Sequence, residues 1–137
     1  MKKLRVAVVG SGVGSAHIEA YQALPDMYDM AVLCDIDPAR GQELARQSGI
    51  PVLVSSMEEL FKTGVDLIDI CTPSGLHFEQ ACAALKAGFD IVVEKPVARS
   101  LAEMDALEKL SGETARRICP VFQYRFGHGF QKLHHLK

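Results

Sequence analysis

The sequence predicts a doubly wound α/β sandwich: a mostly parallel sheet with helices on both faces, in three α/β/α layers. Three observations predict it. Short, almost continuously apolar runs rich in Val, Ile and Leu recur along the chain, as strands covered on both faces require. Helical patterns with recognisable caps lie between those runs, the alternation that builds a parallel sheet. A glycine-rich turn joins the first run to the first helix, and short connections elsewhere imply right-handed crossovers.

Taken in order, Leu4–Val9 and Met30–Cys34 are the first two predicted strands. Asp66–Cys71 and Phe89–Val93 count as the fourth and fifth, and the third is not placed. Asp37 before Pro38 starts a helix, because the carboxylate accepts the free amides and proline fits the first turn. Ser56 with Glu59 and Ser100 with Glu103 make capping boxes for two more. A helix over Leu76–Ala87 ends at Gly88, a natural stop. The Ser100 helix carries Leu101, Met104, Leu107 and Leu110, read as one apolar stripe against the sheet. A last strand is expected over Ile118–Tyr124, and residues 129–137 open another helix.

The length of 137 residues suits one domain able to bury a core without staples. Fifteen basic against 17 acidic residues give a formal charge of −2, so nucleic acid and anionic membranes are not expected partners. The start Met1-Lys2-Lys3-Leu4-Arg5 is basic and then apolar, but the run ending at Val9 is too short for a secretory leader or a span, which predicts a cytoplasmic address. Cys34, Cys71, Cys82 and Cys119 are far apart, with no C-x-x-C pair, and read as free, mostly buried thiols rather than metal ligands.

Chemistry concentrates at the carboxyl ends of the predicted strands, the edge where open α/β sheets bind ligands. Gly10-Ser11-Gly12-Val13-Gly14 turns from strand to helix; such glycines let the backbone approach a pyrophosphate, whose charge meets the amides and positive dipole of the helix. The spacing is G-x-G-x-G, with Ser15 where a dinucleotide fingerprint has its third glycine, and S-adenosylmethionine-dependent enzymes share that spacing. A tight turn with no ligand is the competing reading. Asp35 closes the second strand, where a carboxylate accepts both hydroxyls of an adenosine ribose and repels a 2′-phosphate, favouring NAD over NADP; Arg40 is near enough in sequence to meet that phosphate and keeps NADP open. Thr72-Pro73-Ser74-Gly75-Leu76-His77 and Glu94-Lys95-Pro96 follow the fourth and fifth strands. Lys95 offers a cationic donor for a hydroxyl or carbonyl oxygen, with Glu94 to orient it, although a surface ion pair is an equal reading from physics alone. His17 and His77 are the kind of helix-borne histidine that more often packs or caps, and His128, His134 and His135 have no metal spacing.

In order and spacing these residues resemble the Gfo/Idh/MocA oxidoreductases: the glycine turn followed by His17, Asp35, Thr72-Pro73-x-x-x-His77, Glu94-Lys95-Pro96-Val97 with the Ser100-Leu101 helix, and Gln123-Tyr124-Arg125-Phe126. The resemblance covers nearly the whole chain and implies a Rossmann domain over residues 1–126. Residues 127–137 would begin a helix leading to a second α/β domain that this sequence does not contain. It implies hydride transfer between a nicotinamide and a hydroxyl-bearing carbon of a sugar or polyol, with Lys95 as the catalytic contact to substrate. Thr72, Pro73 and His77 would line the dinucleotide cleft, Glu94 and Lys95 would approach the nicotinamide ribose, and the Lys95–Pro96 bond is often cis in that family. The proton acceptor there is a histidine of the second domain, which also forms the oligomer interface; a homo-oligomer is a further expectation. The chain alone is then expected to bind the dinucleotide without turning over. The alternative is a free-standing, non-catalytic dinucleotide-binding or interaction module. A methyltransferase is disfavoured, since Val8 and Val9 stand where an acidic residue is typical.

Overall fold

The computed structural model describes residues 2–136; Met1 and Lys137, the outer ends of the basic start and of the last predicted helix, lie outside the described residues. Six strands form one sheet, β1 (Leu4–Val9), β2 (Tyr28–Cys34), β3 (Val52–Val54), β4 (Leu67–Ile70), β5 (Asp90–Val93) and β6 (Ile118–Pro120), in the order β3-β2-β1-β4-β5-β6. Every neighbouring pair is parallel. The chain works outward from β1 to β3 and then crosses back to β4, so the carboxyl ends of β1 and β4 flank the switch point at which such sheets open a crevice.

The helices are α1 (Gly14–Gln22), α2 (Pro38–Ser48), α3 (Met57–Leu60), α4 (His77–Lys86), α5 (Leu101–Thr114) and α6 (His128–His135). Alternation along β1 splits the core in two. Val6 and Val8 pack with Ile18 of α1 and Ala45 of α2 on one face, while Ala7 and Val9 join a cluster holding Leu60 of α3, Ala81, Ala84 and Leu85 of α4, and Leu107 of α5 on the other. The three-layer sandwich is therefore present. At about 25 cal/mol per Å² of apolar surface, each fully buried Leu or Ile here contributes on the order of 2 kcal/mol.

The caps form as the sequence requires. Asp37 accepts from the amides of Ala39 and Arg40, and the Ser56 and Ser100 hydroxyls accept from Glu59 and Glu103. In both boxes the glutamate reaches one residue further back than the cap itself, accepting from the amides of Ser55 and Arg99. The expected helix after β4 begins as a 3-10 turn over Ser74–Leu76 before α4, and Gly88 ends it at φ +90°.

One gap is filled and three expectations are corrected. The third strand, which the sequence reading left unplaced, is β3, an edge strand of three residues whose apolar run Val52-Leu53-Val54 is shorter than the other strands' runs. The last strand stops at Pro120 instead of Tyr124, because its partner β5 ends at Val93, opposite Pro120; Gln123–Phe126 turns as a 3-10 helix. The stripe on α5 does not face the sheet as a whole: Leu107 is buried and Leu110 partly so, but Leu101 and Met104 are exposed. Steps of three lag a helix of 3.6 residues per turn, and from Leu101 to Leu110 the lag reaches half a turn. All four thiols are free and Cys34 and Cys71 are buried, yet Cys119, on the edge strand β6, is exposed. Among the described residues no helix is long and apolar enough to cross a membrane.

Candidate functional site

The glycine turn leaves β1 at the switch point, and each glycine has its own reason. Gly10 holds φ +94°, and a Cβ there would lie 3.0 Å from the Cys71 carbonyl oxygen. Gly12 faces open space, with only the Arg40 guanidinium nearby, 3.9 Å from where a Cβ would stand. Gly14 sits in the first turn of α1, where a Cβ would come within 2.7 Å of Val8 Cγ1. Gly14 thus supplies the close helix-to-strand packing that the fingerprint assigns to its third glycine, one position early. The N-cap of α1 is Val13, with no side chain bonded to the helix; the amides of Ser15 and Ala16 donate back to the Gly12 and Val13 carbonyls, and those of Gly12, Val13 and Gly14 are left to meet an anion.

Asp35, immediately after β2, closes over this turn. Its Oδ2 accepts from the Ser11 amide at 2.8 Å and from the Ser11 hydroxyl, and its Oδ1 accepts from the Asp37 amide at 2.8 Å. Burial works against ionisation, but these bonds and the Arg40 charge outweigh it and hold the carboxyl below its ordinary range. Beside it, Ser11, Ala39, Arg40, Glu43, Leu44 and Gln47 line a shallow cleft of about 400 Å³. Ile36, which the sequence reading passed over, stands 87 % exposed next to Asp35.

Across the switch point, Thr72 and Pro73 leave β4, and Glu94, Lys95 and Pro96 leave β5, with the Lys95–Pro96 bond cis. Thr72 Oγ1 donates to Gln80 Oε1 on α4. Pro73, Lys95 and Pro96 are exposed on the same edge of the sheet. His77, expected to line the cleft, and Glu94, expected to approach the nicotinamide ribose, are both buried. His77 is only 1 % exposed, and its ring spans the carbonyl oxygens of Thr72 (Nε2, 2.7 Å) and Pro96 (Nδ1, 2.8 Å), tying the two loops together from behind. Glu94 is 7 % exposed; Oε2 accepts from the Lys95 amide at 2.9 Å while Oε1 meets His17 Nε2 at 3.2 Å. Both are occupied by protein partners, because buried polar groups must be paired.

That contact opens a polar network the sequence reading missed. His17 on α1 meets Asp69 Oδ2 through Nδ1 at 2.8 Å; Tyr21 donates to the same oxygen at 2.9 Å, and the Cys71 thiol donates to Oδ1 at 3.4 Å. Asp69 is completely buried. A signal existed: a carboxylate within the apolar run Leu67-Ile68-Asp69-Ile70, on a strand covered on both faces, requires a partner. Ligand atoms of His17, Asp69 and Cys71 lie within 4.8 Å of one another. All are engaged in hydrogen bonds, and burial pushes the Cys71 thiol up and keeps it protonated, so we assign no metal to the cluster.

Comparison with known proteins agrees with this fold. Residues 4–122 match the oxidoreductase family with the NAD-binding Rossmann fold. The chain is 34% identical to levoglucosan dehydrogenase of Pseudarthrobacter phenanthrenivorans over 116 residues, covering 78% of this chain and 30% of that protein. It is 30% identical to D-glucoside 3-dehydrogenase of Escherichia coli over 129 residues, covering 93% of this chain and 36% of that one. The chain therefore spans about a third of the length of these relatives. Its fold superposes on the WlbA dehydrogenase from Bordetella pertussis, solved in complex with NADH and UDP-GlcNAcA, with a TM-score of 0.90 at 29% identity, over 96% of this chain and 41% of that one. The chain belongs to the Gfo/Idh/MocA oxidoreductase family, and residues 4–122 are its NAD-binding Rossmann-fold domain.

Proposed function

We propose that this chain is the nucleotide-binding part of a dehydrogenase acting on a sugar, a polyol or a related small molecule. The observation that carries the reading is the junction of a ligand-ready helix start at Gly12–Gly14 with an ionised Asp35 and an exposed Lys95 on one edge of the sheet. The amides opening α1 hold the pyrophosphate, and Asp35 accepts the adenosine ribose hydroxyls. The exposed Ile36 offers an apolar face to the adenine, and the guanidinium of Arg40 overhangs the phosphates. Thr72 and Pro73 line the cleft. His77 supports them from below, and Glu94 fixes the backbone at Lys95.

The bound dinucleotide supplies a hydride acceptor. Lys95 donates a hydrogen bond to the oxygen on the reacting carbon, stabilising the charge that develops there as the carbon loses hydride. The proton of that hydroxyl passes to a base beyond this domain. Sugar and polyol chemistry is favoured because the relatives at comparable identity include an inositol 2-dehydrogenase of Rhodococcus erythropolis, 29% identical over 136 residues, besides the two glycoside-type enzymes above.

Thermal unfolding with NAD, NADP and S-adenosylmethionine tests the reading. NAD at roughly 100 times its Kd adds about 2.7 kcal/mol to the folded state, a shift easily resolved. Stabilisation by S-adenosylmethionine alone would end the dehydrogenase reading.

A further inference from the structure

His17 lies at a junction of three elements. Its ring is on α1, a few residues beyond the amides that open the helix, and it bridges Asp69 on β4 to Glu94 after β5. The second oxygen of Glu94 accepts from the Lys95 amide. A continuous path of hydrogen bonds therefore runs Tyr21–Asp69–His17–Glu94–Lys95, from the helix of the glycine turn to the residue at the reacting end of the cleft.

Both ring nitrogens face carboxylate oxygens, which only accept, so the ring that satisfies both carries two protons. Without that charge two buried carboxylates would oppose each other uncompensated. The titratable groups facing the ring among the described residues are Asp69 and Cys71 from the β4 side and Glu94 from the β5 side, with Tyr21 on α1 reaching Asp69. Burial keeps Cys71 and Tyr21 protonated, so neither competes for the charge. The side chain of His17 is 16% exposed, enough to exchange a proton with solvent.

We propose that the His17 imidazolium is a positioning residue that, through Glu94, fixes the Lys95 turn relative to the glycine turn, making dinucleotide binding depend on a proton held outside the cleft. This rests on the nucleotide-binding reading above. Hydrogen bonding to Asp69 raises the His17 pKa, burial opposes it, and Glu94 adds to the rise, so the bridge persists above the ordinary histidine range and opens on the alkaline side. Once one nitrogen loses its proton, a lone pair faces a carboxylate, Glu94 is released, and the Lys95 amide loses its acceptor.

The test is a titration of the chain from about pH 5.5 to 9.5, the span in which a raised histidine ionises. The His17 ring and the Lys95 backbone amide are read by NMR and NADH affinity by fluorescence. The Lys95 amide is expected to move with the midpoint of the His17 ring, and NADH affinity to fall through the same midpoint. In His17→Gln, which keeps a donor and an acceptor but no charge, affinity should be about tenfold lower at neutral pH, the usual order when a group orienting a binding residue is removed, with no decline across that midpoint. A Lys95 amide indifferent to the His17 titration overturns the proposal, as does an H17Q curve matching the unaltered chain. The first criterion needs no variant to fold. If the unaltered chain binds no NADH at any pH, the nucleotide reading falls by itself, and the amide alone still supports or overturns the link.

Discussion

At Asp35 one carboxylate does two things: it anchors Ser11 in the glycine turn and leaves acceptor capacity toward the cleft. Removing it should weaken both dinucleotides through the loosened turn and NAD additionally through the lost ribose bonds. Hydrogen bonds to a charged group contribute about 1.5–3 kcal/mol, so Asp35→Ala is expected to raise the Kd for NAD roughly tenfold or more, and that for NADP by less. Calorimetric titration with each nucleotide checks this, and equal losses would take Asp35 off the ribose. His77 invites a different experiment, because its ring serves two carbonyl oxygens from a site 1 % exposed. His77→Leu keeps the bulk but removes the ring's N–H from these carbonyls, and is expected to cost about 1–3 kcal/mol in a urea transition, the range for a buried polar group left unmet. The sequence revealed these residues unequally. Asp35 could be placed by its position after an apolar run. The inward turn of His77 and Glu94 could not, since which way a side chain points is settled by partners far away in the chain, such as Pro96 for His77 and His17 for Glu94.

Between elements, the decisive contact is α1 against β1. Gly14→Ala would drive a methyl to 2.7 Å from Val8 Cγ1, in a strand with no room to withdraw. Overpacking of this kind costs about 1–3 kcal/mol and should also tilt the start of the helix, so we expect lower stability and weaker NAD binding together. The double variant with Val8→Ala, which removes the opposing methyl, should recover part of both; no coupling between the two substitutions would place the strain elsewhere. For α5, Ser100→Ala removes an acceptor from the Glu103 amide and is expected to cost about 1 kcal/mol by denaturant unfolding, without touching the cleft. The caps were readable because they are local: Asp37, Ser56 and Ser100 bond to amides two or three residues away. The true end of β6 was hidden because it is set by its neighbour β5, β3 was missed because its apolar run of three residues is brief, and the stripe on α5 failed because identity at steps of three does not guarantee one helix face.

Across the whole molecule, the shifted groups divide stability into a plateau with separate flanks. Asp35, Asp66 and Asp90 are held below their ordinary value of 3.8, so what they contribute is present above that pH and fades as the folded carboxyls are protonated below it. His17 acts in the opposite direction. Its pKa is raised in the folded chain, so its contribution is complete below the ordinary 6.5 and disappears as pH climbs through the folded value. A second alkaline loss begins near 9.0, the ordinary thiol value, where unfolding would free Cys34, pushed up by burial to about 12, and Cys71, pushed up likewise. The melting temperature should therefore be highest between about pH 4 and 6.5, decline gently over the next units and fall more steeply above 9. His17→Gln is expected to lower the plateau and remove only the first decline, leaving the step above pH 9 and the acid flank in place. Scanning both chains by calorimetry at unit intervals of pH separates the flanks, and an H17Q profile parallel to the original between 6.5 and 9 would show that the bridging proton contributes nothing to the fold.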